Sequence, residues 1–247
     1  MKSVSLLVLA FLCARKLDAT ELNDEVLAKI VNDFRKAQQK NYKQFSFLLA
    51  LNPKQCNAYE DNLYINANIS SGKPHIDKSP NSFTAPLNYI AVYPNPSKIC
   101  SEYKILFMKR ENQRVAVWFA NNVQSLKNGG CVIFYTENTP CTKKCFSGKH
   151  FKDITEPLLD HPFDTWRTDN NTTIHKYFVY GQVYRCDQGN KPRIIHHFRC
   201  LDEFEIDPAG SFLFRKCSEN KLSCGRCDKN NDYCVNLEIK DKSPVSP

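Results

Sequence analysis

The chain has 247 residues, 42% of them hydrophobic, a formal net charge of +8 and twelve cysteines. No stretch beyond the first twenty residues is long and apolar enough to cross a bilayer as a helix, and no repeat or low-complexity tract appears. The mildly basic balance suits a polyanionic or nucleotide partner, and it equally suits solubility alone.

Met1-Lys2 precedes an apolar run from Val4 to Cys13, followed by Ala14-Arg15-Lys16-Leu17-Asp18-Ala19. A basic start, a short apolar stretch and small residues near its end define a signal peptide over residues 1–19, cleaved after Ala14 or Ala19. The expected location is therefore secreted and extracellular, with no membrane association after cleavage. Eleven cysteines follow Cys13, and in an oxidising compartment most should pair. The acceptor patterns at Asn68, Asn170 and Asn171 fit N-linked glycosylation in that compartment.

Residues 22–40 read as an amphipathic helix, because Leu22, Val26, Leu27, Ile30, Val31 and Phe34 recur at helical spacing, within an N-terminal helical segment expected over residues 20–54. Residues 62–68 and 87–93 favour strands, separated by a polar, turn-rich loop. Residues 100–122 mix apolar and charged positions in a helix-compatible way, while residues 114–119 fit helix or strand. Asn128-Gly129-Gly130 is a turn, and Cys131–Thr136 has the continuous apolar character of a buried strand. Pro140 stands where a helix can begin. Residues 175–185 read as a strand with Tyr177, Val179, Gly181 and Val183 on one face and Phe178, Tyr180 and Tyr184 on the other. Shorter elements are expected at residues 198–201 and 212–214. The cysteine-dense tail from Cys217 reads as a two-bridge knot. The expected boundaries are 55–200 for the main domain and 201–247 for a disulfide-rich C-terminal extension.

One constellation carries chemistry. Cys100-Ser101-Glu102 opens an expected helix, a buried strand follows, and then comes Thr139-Pro140-Cys141-Thr142-Lys143-Lys144-Cys145. Cys100, Cys141 and Cys145 supply three thiolates for zinc, leaving a fourth position for water. Glu102, close to the metal without binding it, would shuttle the proton that hydrolytic deamination requires. This order resembles the signature of the cytidine deaminase-like superfamily. The strand running into "FYTENTPC" is similar to its AID/APOBEC-like branch, most of all the secreted novel AID/APOBEC-like deaminases. The resemblance spans roughly residues 60–185. It implies a three-layer α/β/α sandwich with a mixed sheet, bound Zn, and deamination of cytosine in a nucleoside or in single-stranded nucleic acid, with a defence role against extracellular or viral nucleic acid. It leaves the oligomeric state open.

Two features depart from the family pattern. The first ligand is Cys where the AID/APOBEC branch has His. Three residues, rather than two, separate Cys141 and Cys145. Positions i and i+4 still share a helix face; alternatively the extra residue forms a bulge, or Lys144 occupies the second ligand position. The other class of function compatible with the chain is a catalytically inactive secreted binding protein on the same scaffold.

With three cysteines assigned to metal, Cys56, Cys131, Cys186, Cys200, Cys217, Cys224, Cys227 and Cys234 remain as disulfide candidates. Five bridges and one free thiol is the competing count. Lys143, Lys144, Lys149, His150 and Lys152, with Phe146 and Phe151, offer phosphate-holding and base-stacking groups, or simply a solvated basic loop. His196-His197 reads as an exposed pair on a strand edge. Neither a glycine-rich phosphate loop nor a Gly-x-Ser-x-Gly motif occurs.

Overall fold

The computed structural model describes residues 22–39, 44–59, 89–92, 94, 100–107, 109–110, 113–122, 129–147, 152–159, 163, 174–196, 212–218, 223–227 and 233–235. The signal-peptide segment, the expected strand at residues 62–68, the sequons at Asn68, Asn170 and Asn171, Cys200 and His197 lie outside the described residues.

Six strands form one mixed sheet: β1 (Ser46–Leu51), β2 (Tyr89–Val92), β5 (Cys131–Asn138), β6 (His175–Gln182), β7 (Phe212–Ser218) and β8 (Ser223–Arg226), in the order β2-β1-β5-β6-β7-β8. A hairpin of β3 (Lys109–Arg110) and β4 (Gln113–Arg114) stands apart. β1 pairs antiparallel with β2 and β5. β5, β6 and β7 run parallel, and β8 returns antiparallel to β7. Strands β1, before residue 55, and β7 and β8, after residue 200, thus belong to the same sheet as the centre of the chain.

Helices cover both faces, giving three layers. α1 (Asp24–Gln39) packs Leu27, Ile30, Val31 and Phe34 against Phe47, Leu49, Ile133, Tyr135, Tyr177 and Val179. The opposite face carries α3 (Ser101–Phe107), α4 (Val115–Asn122) and α5 (Thr155–Leu159), through Ile105, Leu106, Val115, Phe119 and Leu158 against Leu48, Val132, Phe134 and Phe178. Alternate residues of β5 and β6 face opposite layers, so both strands are apolar almost throughout, as central strands buried on two faces must be. The fold is an α/β deaminase-like sandwich.

The elements follow from local chemistry. The short α2 (Pro53–Asn57) opens with a capping box: the Asn52 side chain accepts from the Gln55 amide at 2.9 Å, and the Gln55 side chain accepts from the Asn52 amide at 3.1 Å. Gly129 and Gly130 enter β5 at φ 95° and 114°. A Cβ on Gly130 would run into the Leu51 carbonyl, so both the dihedral and the close approach demand glycine.

Several expectations are corrected. Residues 46–51, inside the span expected to be helical, form β1; their apolar run fits a strand buried on both faces. The segment 114–119 divides, Arg114 ending β4 and Val115 beginning α4. Pro140 does not open a helix: residues 142–146 make a single turn. Strand β6 ends at Gln182, so Val183 leaves the alternation and packs with Phe178 and Tyr180. His196 ends a helical turn over residues 191–196 and is exposed, rather than lying on a strand edge.

The tail is bridged as expected. Cys217 and Cys224 pair directly across β7 and β8, and Cys227 pairs with Cys234. Cys56 pairs with Cys131, fixing α2 to the start of β5.

Candidate active site

Cys100 lies at the start of α3, its carbonyl accepting from the Lys104 amide at 3.3 Å. The helix turns Ser101 and Glu102 inward beneath β1 and β5, where Glu102 is only 2% exposed. Its carboxylate is held by two neighbours. The Thr136 hydroxyl donates at 2.6 Å from the end of β5, and Ser101 donates at 3.4 Å. Ser46, opposite Thr136 in the sheet register, donates to the Ser101 hydroxyl at 2.7 Å. Burial pushes the Glu102 carboxyl above its usual range, and the bond from Thr136 opposes that shift.

The turn after Pro140 supplies the other cysteines. The Cys145 and Phe146 amides both donate to the Cys141 carbonyl, at 2.9 and 3.0 Å. This i to i+4 bond sets Cys141 one helical turn before Cys145, so the spacing is accommodated without a longer helix. Cys145 is fully buried and its sulfur meets that of Cys100; the two are joined as a disulfide with their Cα atoms 6.8 Å apart. Cys141 is half-buried and carries a free thiol.

Of the three expected ligands the structure brings Cys100 and Cys145 together, bonded to each other rather than standing as separate thiolates, while Cys141 carries a free thiol. Among the described residues no group of three His, Cys, Asp or Glu side chains is gathered for a metal ion. The physical reason that one pair of positions fits both states is geometric. Two thiolates on a tetrahedral zinc lie about 3.8 Å apart, given zinc–sulfur bonds of about 2.3 Å. Cystine Cα separations extend to about 6.8 Å, and the Cys100–Cys145 pair stands at that wide end. The side chains are of the kind zinc takes, thiols and a carboxyl, but the Cys100 and Cys145 sulfurs are bonded to each other and no third ligand is gathered with them among the described residues.

Other expected groups separate from this site or lie at its margin. Phe146 is buried in the core with its ring 6.4 Å from that of Phe178, so it is no surface platform for a base. Lys143 is exposed and Lys144 half-buried on the turn. Cys186, expected in a bridge, is free and exposed. Three contributors were not singled out by sequence: Ser46, Thr136 and Asp187. Thr136 follows Val132 and Phe134 at period two on the face that meets α3, so a polar residue closing a buried alternation was the available signal. Nothing in the sequence around Asp187 announces its part: its carboxylate accepts from the Thr142 amide at 2.9 Å and the Thr142 hydroxyl at 2.7 Å, anchoring the cysteine-bearing turn.

A mixed sheet between helical layers, with Cys-x-Glu heading one helix and Pro-Cys at the end of the central strand, defines the deaminase-like class of α/β proteins. The family model described as Secreted Novel AID/APOBEC-like Deaminase 1 matches residues 24–238. The chain belongs to that family, and it is a secreted protein. Comparison with curated proteins and with solved structures yields no match. No helix among the described residues is long and apolar enough to cross a membrane.

Proposed function

We propose that the chain is a zinc-dependent hydrolytic deaminase acting on cytosine in nucleosides or in single-stranded nucleic acid, with defence against extracellular or viral nucleic acid as its setting. The observation that carries this reading is Glu102, a buried carboxyl held by Thr136 and lying two residues along α3 from Cys100, whose sulfur meets that of Cys145. Cys100, Cys141 and Cys145 would hold the ion. When bound, zinc supplies Lewis acidity that makes a water nucleophilic near neutral pH.

Glu102 accepts the proton of that water as its oxygen adds to C4 of the cytosine ring, and delivers it to N3. It then takes the second proton from the hydroxyl now on C4 and passes it to the exocyclic amine, which departs as ammonia as the C4 carbonyl of uracil forms. A carboxyl whose proton affinity is raised by burial suits both halves of this transfer. Thr136 and Ser101 hold the carboxylate in place while it exchanges protons, and the sheet excludes bulk water from one side. The exposed Lys143 would offer a cation to a phosphate.

The test is uracil release from cytidine, deoxycytidine, single-stranded RNA and single-stranded DNA by secreted, zinc-loaded protein. Wild type should produce uracil from at least one of them. Glu102→Gln should lower the rate by roughly 10²–10⁴-fold, the usual contribution of a proton-transfer group.

The Cys100–Cys145 disulfide favours a second reading, a catalytically inactive binding protein that retains the scaffold. It predicts no uracil from any substrate and no zinc in the intact protein, with Cys100 and Cys145 linked in a non-reducing peptide map.

A further inference from the structure

Two cysteines among the described residues carry free thiols, Cys141 and Cys186. They sit on two chain segments that leave the sheet side by side. Strands β5 and β6 are parallel neighbours up to Asn138 opposite Gln182. Beyond that point the segments remain fastened. The Thr139 amide donates to the Gln182 carbonyl at 2.8 Å, and the Tyr184 amide donates to the Thr139 hydroxyl at 3.0 Å. Three residues further, Thr142 is clamped by both oxygens of Asp187.

The bonds joining Thr139 to Tyr184 and Thr142 to Asp187 share one sequence offset, 45 residues. Cys141 and Cys186 have that same offset and fall between the two fastenings. The Tyr184 side chain stands with them. It hydrogen-bonds the Cys186 sulfur and lies within electrostatic reach of Cys141 and Asp187. Cys186 lies in a short 3₁₀ turn, Arg185–Asp187, and is exposed, so it is open to thiol exchange from solvent.

We propose that Cys141 and Cys186 form a disulfide that clamps the Pro140 turn to the segment leaving β6. In the step, the Cys186 thiolate attacks a low-molecular-weight disulfide such as oxidised glutathione, releasing one thiol and forming a mixed disulfide. The Cys141 thiolate then displaces the second small thiol. Two protons leave the protein thiols, two electrons pass to the oxidant, and two small thiols are produced. The bridge withdraws Cys141 from metal binding, so the closed pair and a three-thiolate zinc site are mutually exclusive. The pairing rests on the register of the two segments and stands independently of the deaminase reading.

The test is a non-reducing peptide map of the full secreted chain, alkylated before digestion, with and without prior incubation in oxidised glutathione. The expected result is a linked peptide pair containing Cys141 and Cys186, which a reductant separates into two alkylatable thiols. In Cys186→Ser, Cys141 should become alkylatable while the Cys100–Cys145 link persists. If Cys141 and Cys186 are both still alkylated after glutathione disulfide, or Cys186 is found joined to Cys200, the proposal is overturned. The wild-type map decides the matter even if the variant folds poorly. Absence of uracil production would count against the deaminase reading and leave this map unchanged.

Discussion

Thr136 is the residue on which the geometry of Glu102 depends most. Its hydroxyl donates to the carboxylate at 2.6 Å and also approaches the Asn138 carbonyl at 3.0 Å. A buried carboxylate deprived of its donor bears the full cost of desolvation, about 1–3 kcal/mol. Thr136→Val should therefore lose about that much stability in guanidinium denaturation at neutral pH. Thr136→Ser, which keeps the hydroxyl, should recover most of it. A loss confined to Thr136→Ser, with Thr136→Val unaffected, would assign the effect to the methyl group and its packing. The proposed chemistry was legible at this scale as residue types in order, and of those residues Cys100 and Cys145 meet, with Glu102 buried two positions after Cys100 on α3. What was not legible is what holds them, because Ser46, Thr136 and Asp187 act through contacts made across the sheet between residues far apart in sequence. The Cys141–Cys145 spacing was read as a departure; the two residues span one i to i+4 turn, and of the two it is Cys145 whose sulfur meets Cys100.

At the scale of elements, periodicity was informative wherever an element has one face to bury, and silent about what pins it in place. The stripe Leu22, Leu27, Ile30, Val31 and Phe34 announced α1. Its anchor is polar. Arg35 makes a two-point ion pair with Glu137 of β5, at 2.8 and 3.0 Å, and Tyr135 donates to the same carboxylate at 2.8 Å. Both charged side chains are 4% exposed. β1 was lost to the opposite problem: buried on both faces, it shows no alternation, and a run such as Phe47-Leu48-Leu49-Ala50 carries no period that separates strand from helix. The ion pair makes a prediction for α1. Removing one partner strands a buried charge at a cost of about 3–5 kcal/mol, so Arg35→Met and Glu137→Leu should each destabilise strongly. The double variant should cost much less than the sum of the two. Additive losses in the denaturation midpoints would mean that the pair does not couple α1 to the sheet.

For the whole molecule, the question is how a sheet assembled from both ends of the chain is kept closed. Tyr180, at the centre of β6, contributes one answer: its hydroxyl donates to the Cys234 carbonyl at 2.6 Å, tying the core to the bridged tail. Burial, and then the neighbouring Tyr233, hold its phenol well above the ordinary value of 10.0. A raised phenol favours the neutral form in the fold, so its contribution is complete below about pH 10. It is lost as pH climbs from there toward the folded-state value, because the unfolded chain releases the proton first. Stability followed by denaturation between pH 8 and 11 should fall at the alkaline end, and Tyr180→Phe should flatten that fall while lowering stability near neutrality by about 1 kcal/mol through the lost hydrogen bond.

The disulfides supply the other answer, and their loops differ in a way that ranks them. Cys56–Cys131 closes a separation of 75 residues, whereas Cys217–Cys224 and Cys227–Cys234 each close 7. Chain-entropy reasoning assigns about 4 kcal/mol to the long loop and about 2 kcal/mol to each short one, since the denatured chain loses more freedom when distant residues are joined. Cys56 and Cys131 are also buried in the layer beneath α1, where two alanines would leave unfilled volume. Both effects act in the same direction. Replacing Cys56 and Cys131 together by alanine should therefore lower the unfolding free energy clearly more than replacing Cys217 and Cys224, with the difference read from denaturant midpoints under non-reducing conditions. Equal losses would show that the tail, although short-looped, governs closure of the sheet through β7 and β8 rather than through the entropy of the loop it closes.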